Sequence, residues 1–178
     1  WNLDSLGTYS FATGSNSKAT GDYSNSLGQN TIASGNYSSA MGYNSSSSGF
    51  GSTALGYSNS ALGKYSTAMG RSNIANGYAT FTVGMFNDIV VPVQTGYTNA
   101  TPLFIVGNGS NSSNRSNAMV VLKNGNIGIG TDSPQKKLHV IGKIGLGNTA
   151  TLEEGGLYTI ITNSNIRPNL DNILDLGS

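Results

Sequence analysis

Large apolar residues are sparse along the first 84 positions, but they are phased. Leu27, Met41, Leu55, Met69 and Val83 each precede a glycine and stand fourteen residues apart, with small residues at Thr20, Ser34, Ser48 and Asn76 halfway between; Leu62 breaks the rule. The glycines recur every seven residues from Gly7 to Gly84 without a miss. Aligned on them the chain reads S-x-A-x-G-x-x, as in Ser38-Ser39-Ala40-Met41-Gly42. A heptad coiled coil needs large apolar residues at two positions per unit, and Gly costs about 1 kcal/mol relative to Ala inside a helix, so this period is not helical. In a strand, alternate residues share a face. Seven is odd, so the chain must turn once per unit, at the two positions after Gly. The predicted product is a stack of short strands and turns, a β-solenoid. The overlying rhythm makes the coil fourteen residues long, and six coils at about 4.8 Å each give a rod of about 25–30 Å.

Such coils are too lean to stand alone. Only eleven of residues 1–84 are Leu, Ile, Val or Phe, below the roughly 20 % at which disorder sets in. Burial on that scale does not offset about 1.5 kcal/mol of ordering entropy per residue. The apolar line Leu27, Met41, Leu55, Met69 and Val83 is therefore expected to meet the same line on other chains around a common axis. Composition agrees with a structural role, since Gly, Ser and Asn make up 72 of 178 residues and the formal net charge is +1. A near-neutral chain with scattered Lys and Arg lacks the counterion-release drive for nucleic acid. The chain has no Cys, which excludes disulfides and thiolate sites. Its longest apolar run, Ile89-Val90-Val91-Pro92-Val93, falls far short of the roughly 20 residues that span a bilayer, so no membrane insertion is expected. Trp1 is not an initiator, so the sequence reads as a piece of a longer polypeptide.

The units Ser38-Ser39-Ala40-Met41-Gly42, Ser52-Thr53-Ala54-Leu55-Gly56 and Ser66-Thr67-Ala68-Met69-Gly70 resemble the head repeats of trimeric autotransporter adhesins, the YadA-like heads, over roughly residues 5–86. The resemblance implies an all-β, left-handed parallel β-roll assembled as a tight homotrimer, which is extracellular and adhesive.

After Gly84 the composition changes, with 28 Leu, Ile, Val or Phe among residues 85–178. The expected division is a head over 1–86 and a β-rich, intertwined trimeric stalk or tip module over 87–178, with strands near 103–106, 118–122, 127–130 and 137–141. Asn124-Gly125-Asn126-Ile127-Gly128-Ile129-Gly130-Thr131-Asp132-Ser133-Pro134 with Lys137-Leu138-His139-Val140 resembles a motif of bacteriophage tail fibres and related bacterial surface fibres. The closing stretch Ile166 to Ser178 resembles the segment just ahead of the intramolecular chaperone domain of endosialidase-type fibres.

Little in the chain suggests catalysis. Residues 128–133 lack the third Gly and the following helix of a phosphate loop. His139, the lone histidine, lies in an alternating run and is expected on a strand face. Asp132 is expected to cap the Asp-Ser-Pro turn. The other acids are Asp4, Asp22, Asp88, Glu153, Glu154, Asp171 and Asp175. They would serve a polysaccharide depolymerase only if two met between chains at about 5–10 Å. No metal pattern and no cofactor motif is present. Tyr9, Tyr23, Tyr37 and Tyr65 follow Gly by two, and Tyr43, Tyr57 and Tyr78 follow it by one. They are expected to stack along the rod, either as corner packing or as a surface for sugar rings. The sequence reading is thus a non-enzymatic homotrimeric fibre segment at a bacterial or phage-like surface that displays a binding face to glycans or a cell-surface receptor. The alternatives are a depolymerase and a plain spacer.

Overall fold

A computed structural model describes residues 6–92, 96–146 and 150–152. The chain divides into two units, residues 1–142 and 143–178. The described part of the second holds the antiparallel pair Ile144–Leu146 and Ala150–Leu152. Glu153-Glu154, Asp4, Asp171, Asp175 and the closing stretch 166–178 lie outside the described residues.

The first unit opens with eleven strands: β1 (Phe11–Thr13), β2 (Lys18–Ala19), β3 (Asn25–Gln29), β4 (Ile32–Ala33), β5 (Ser39–Tyr43), β6 (Ser46–Ser47), β7 (Thr53–Tyr57), β8 (Ser60–Ala61), β9 (Thr67–Arg71), β10 (Ile74–Ala75) and β11 (Phe81–Met85). Odd-numbered strands pair in parallel to form one sheet and even-numbered strands pair in parallel to form another. Register advances by fourteen at each step, as in Ala40↔Ala54 and Ala54↔Ala68. This is an all-β solenoid with two strands per coil, and no helix occurs among the described residues.

The turn falls where the odd period requires it. Every residue two places after a heptad glycine, from Tyr9 through Gly51 to Phe86, adopts a left-handed conformation with φ between 45° and 62°. Only one of these twelve is Gly. The N–H of such a residue still finds the previous coil, as Tyr37 does with the Asp22 carbonyl at 2.8 Å and Tyr65 with the Phe50 carbonyl at 2.8 Å. The hydrogen-bond ladder therefore continues round the corner.

The glycines themselves answer a second constraint, the closeness of successive coils. A Cβ on Gly63 would collide with the backbone of Gly77 and Asn76, neither of which can move aside. At Gly70 the collision with Gly84 is compounded by a φ of 111°, which disfavours any L side chain.

Inside the coils the two sheets enclose only small side chains. Ala40, Ala54 and Ala68 from the long strands face Ala33, Ala61 and Ala75 from the short ones, all fully buried. Polar ladders fill the corners and satisfy backbone groups that the turns leave over. Ser24 and Ser52 donate to the Gly21 and Gly49 carbonyls at 2.6 and 2.7 Å. At the opposite corner Ser45, Asn59, Asn73 and Asn87 occupy equivalent places. Asn73 Nδ2 donates to the Met69 and Gly84 carbonyls at 2.7 and 2.8 Å, and its Oδ1 accepts the Asn87 N–H at 3.3 Å. Thr82 is a misfit, because its hydroxyl is buried with no hydrogen-bond partner.

The long-strand sheet does not stop at the last repeat. Four more strands continue it: β12 (Pro102–Asn108), β13 (Asn117–Leu122), β14 (Ile127–Ile129) and β15 (Leu138–Val140). Strand β12 lies parallel to β11, β13 and β14 follow antiparallel, and β15 is parallel to β14. The step from β11 to β12 spans 23 residues, Phe81↔Phe104, instead of fourteen. The inner row also changes, from Ala68 and Thr82 to Ile105 and Val120, and the core there is built of larger side chains. At the 131–134 turn, Thr131 takes the capping role expected of Asp132, its hydroxyl accepting the Ser133 N–H at 3.3 Å. The Asp132 carboxylate is drawn away by Asn117 Nδ2 at 2.9 Å.

Candidate functional site

The aromatic residues gather into two ladders on the outer corners of the solenoid. Along one corner Tyr9, Tyr23, Tyr37, Phe50, Tyr65, Tyr78 and Tyr97 follow one another with ring centroids 5.0–5.6 Å apart. Tyr9, Tyr23 and Tyr37 stack with interplanar angles of 23° and 1°, whereas the rings from Phe50 onward meet at steep angles. At the opposite corner Tyr43 stacks on Tyr57 at 5.1 Å, and Arg71 lies over Tyr57 and Phe86. Tyr78 thus joins the first ladder, although its distance from Gly groups it with Tyr43 and Tyr57. The sequence leaves a gap in the first ladder at Gly51. Phe50 fills it from the neighbouring position, and Tyr97 extends the row beyond the last coil.

The local backbone explains why tyrosine is tolerated here. A non-Gly residue in the left-handed region costs about 1–2 kcal/mol, and stacking each ring on the next returns about 0.5–1.5 kcal/mol. The rings do this while remaining open to solvent, with Tyr9 80 %, Tyr37 55 % and Tyr97 61 % exposed. Parallel rings about 5 Å apart cover each other's faces, so the Tyr9–Tyr37 end offers ring edges and phenol hydroxyls. Where the rings tilt, Lys64 Nζ sits 5.2 Å from the Phe50 centroid and 5.3 Å from that of Tyr65, and Lys123 Nζ sits 4.6 Å from that of Tyr97. Polar groups border the row. Asp22 accepts the Thr8 N–H at 2.9 Å and Asn36 accepts the Asp22 N–H at 3.1 Å.

The acidic and histidine side chains are used locally. Asp88 accepts the N–H of Ile89 at 2.8 Å, and His139 on β15 accepts the Gln135 N–H at 3.3 Å. Among the described residues no group of three or more His, Asp or Glu could hold a metal. A cleft of about 320 Å³ lies among Val90, Leu122, Asn126, Asp132 and Pro134. Two of its polar groups are already engaged, Asp132 with Asn117 and Asn126 with the Pro134 carbonyl.

The apolar line Leu27, Met41, Leu55, Met69 and Val83 runs along the outer face of the long-strand sheet, half-buried in the single chain. A fourteen-residue coil, a left-handed corner two places after every glycine and an outward apolar line together describe a repeat module. The family model for the YadA head domain repeat matches residues 5–24, 26–45 and 47–73. The coils over these residues are similar to the YadA head repeat. The match ends at residue 73, while the solenoid pairing runs on through β11. No curated protein and no solved structure matches the chain.

Proposed function

We propose that this chain is a segment of a homotrimeric, extracellular adhesive fibre. In this reading the YadA-like head is a left-handed β-roll that holds aromatic ladders toward a glycan-bearing surface and performs no chemistry. The observation that carries the proposal is the seven-ring ladder. These rings are not needed by a core made of Ala, Ser, Thr and Asn, yet six of the seven remain 40 % or more exposed along a stiff, regular frame. Ring edges, phenol hydroxyls and neighbouring Asp and Asn groups suit the mixed apolar and hydroxylated surface of sugar rings. Three ladders on one trimer raise effective concentration, so weak individual contacts still hold a surface. The residues after the head, with their resemblance to tail-fibre segments, would form the stalk or tip.

Retention of the intact chain on a glycan array and on cells tests this. The Tyr23→Gly, Tyr37→Gly, Tyr65→Gly triple variant keeps the left-handed corners and removes three rings, and retention is expected to fall at least tenfold. Unchanged retention would overturn the ladder as the binding surface. Release of shortened oligosaccharides would overturn the non-enzymatic assignment, and blank arrays and cell assays would leave a spacer.

A further inference from the structure

The outer face of the long-strand sheet changes character along its length. In the head, one of its two columns is apolar (Leu27, Met41, Leu55, Met69) and the other is polar (Asn25, Ser39, Thr53, Thr67). From β11 onward both columns are apolar. One continues the Leu/Met line in register as Val83, Val106, Met119, Ile129 and Val140. In the other, the Ser and Thr residues give way to Phe81, Phe104, Val121, Ile127 and Leu138. The packing within one chain does not bury this platform, since Leu138 is 59 % and Ile129 37 % exposed, and Phe81 and Phe104 cover each other only in part.

We infer that this two-column platform on β11–β15 is the main lock between copies of the chain, with the single apolar column of the head acting as a weaker extension of it. The inference rests on the homotrimeric reading above. Its occupant is a second copy of this chain for two reasons. The platform continues, without a break in pairing, the line that the head presents. Its side chains also recur at the strand spacing of about 4.8 Å over the five strands β11–β15, a platform about 20 Å long, and a parallel copy of the same sheet supplies the matching period.

Solution mass and dissociation of the intact chain decide the matter. Ile129→Ser with Leu138→Ser alters two positions that are already exposed in the single chain, so the protomer fold is kept, which a strand-type far-UV spectrum checks. This variant is expected to dissociate at concentrations at least tenfold higher than the parent. Met41→Ser with Leu55→Ser in the head is expected to shift dissociation by a smaller factor. A parent of three chains whose platform variant is as tightly assembled as the head variant overturns the lock and leaves the trimer standing. A parent of one chain overturns the trimeric reading and the lock together, and means that the platform is covered by other residues of the same chain.

Discussion

Asn73 is fully buried at a corner of the solenoid, and its amide serves three backbone groups: it donates to the Met69 and Gly84 carbonyls and accepts the Asn87 N–H. Asn73→Ala removes all three bonds where water does not enter easily. At about 1 kcal/mol net per bond the loss is about 3 kcal/mol, which for a chain of this size lowers Tm by about 6–12 °C. An internal comparison sharpens the expectation. Ser45 holds the equivalent place two coils earlier, where its hydroxyl donates to the Gly56 carbonyl at 3.2 Å and accepts the Asn59 N–H at 3.3 Å. Asn73→Ser keeps one donor and one acceptor, and should lose only about 1 kcal/mol. Thermal and denaturant unfolding followed by circular dichroism, at one fixed chain concentration because an assembly couples Tm to concentration, reads both variants. If Ala and Ser prove equivalent, or if Ala unfolds within a degree of the parent, the polar corner ladder does not hold the coils together.

Three further outcomes follow from the same geometry. Thr82→Val replaces a buried, unpartnered hydroxyl with a methyl of similar shape and should raise stability by about 1 kcal/mol in the same unfolding assay, whereas a loss would show that the hydroxyl has a partner. Tyr37→Gly should be more stable than Tyr37→Ala by about 1 kcal/mol, because both lose the ring but only Ala retains the left-handed strain, and the reverse order would contradict the corner conformation. Under mild peroxide, peptide mass mapping should find the exposed Met85 oxidised at least tenfold faster than Met41, Met69 and Met119. The Ile129→Ser, Leu138→Ser variant should narrow that difference, and equal rates in the parent would mean that the apolar columns face water.

The head was legible because its constraints repeat. One glycine per seven residues forces one corner per unit, and the backbone places its left-handed residue two positions after each glycine, as the odd period demands. The fourteen-residue alternation of Leu and Met with small residues became the register of the paired strands. Other features escaped because they break the period or hide inside it. Phe50 fills the ring gap from one residue earlier, a shift that alignment on glycine disguises. Asn59 and Asn73 take the slot that Ser holds in most units, and only that slot could have shown them as corner residues. Strand β12 joins the same sheet after 23 residues, and with the glycine rhythm gone no spacing linked Phe104 to Phe81. The apolar residues of the second half were visible, but their arrangement in two columns depends on a pairing order that mixes parallel and antiparallel steps.

Each coil of the solenoid is interchangeable with its neighbours, since its interior needs no side chain fitted to a particular storey. Tandem duplication or loss of fourteen residues would therefore change the length of the solenoid by about 4.8 Å and leave both ring rows in line. An insertion of seven would put long strands where short ones belong. The length of the solenoid is thus a quantity this architecture can vary in discrete steps, with no new core to invent.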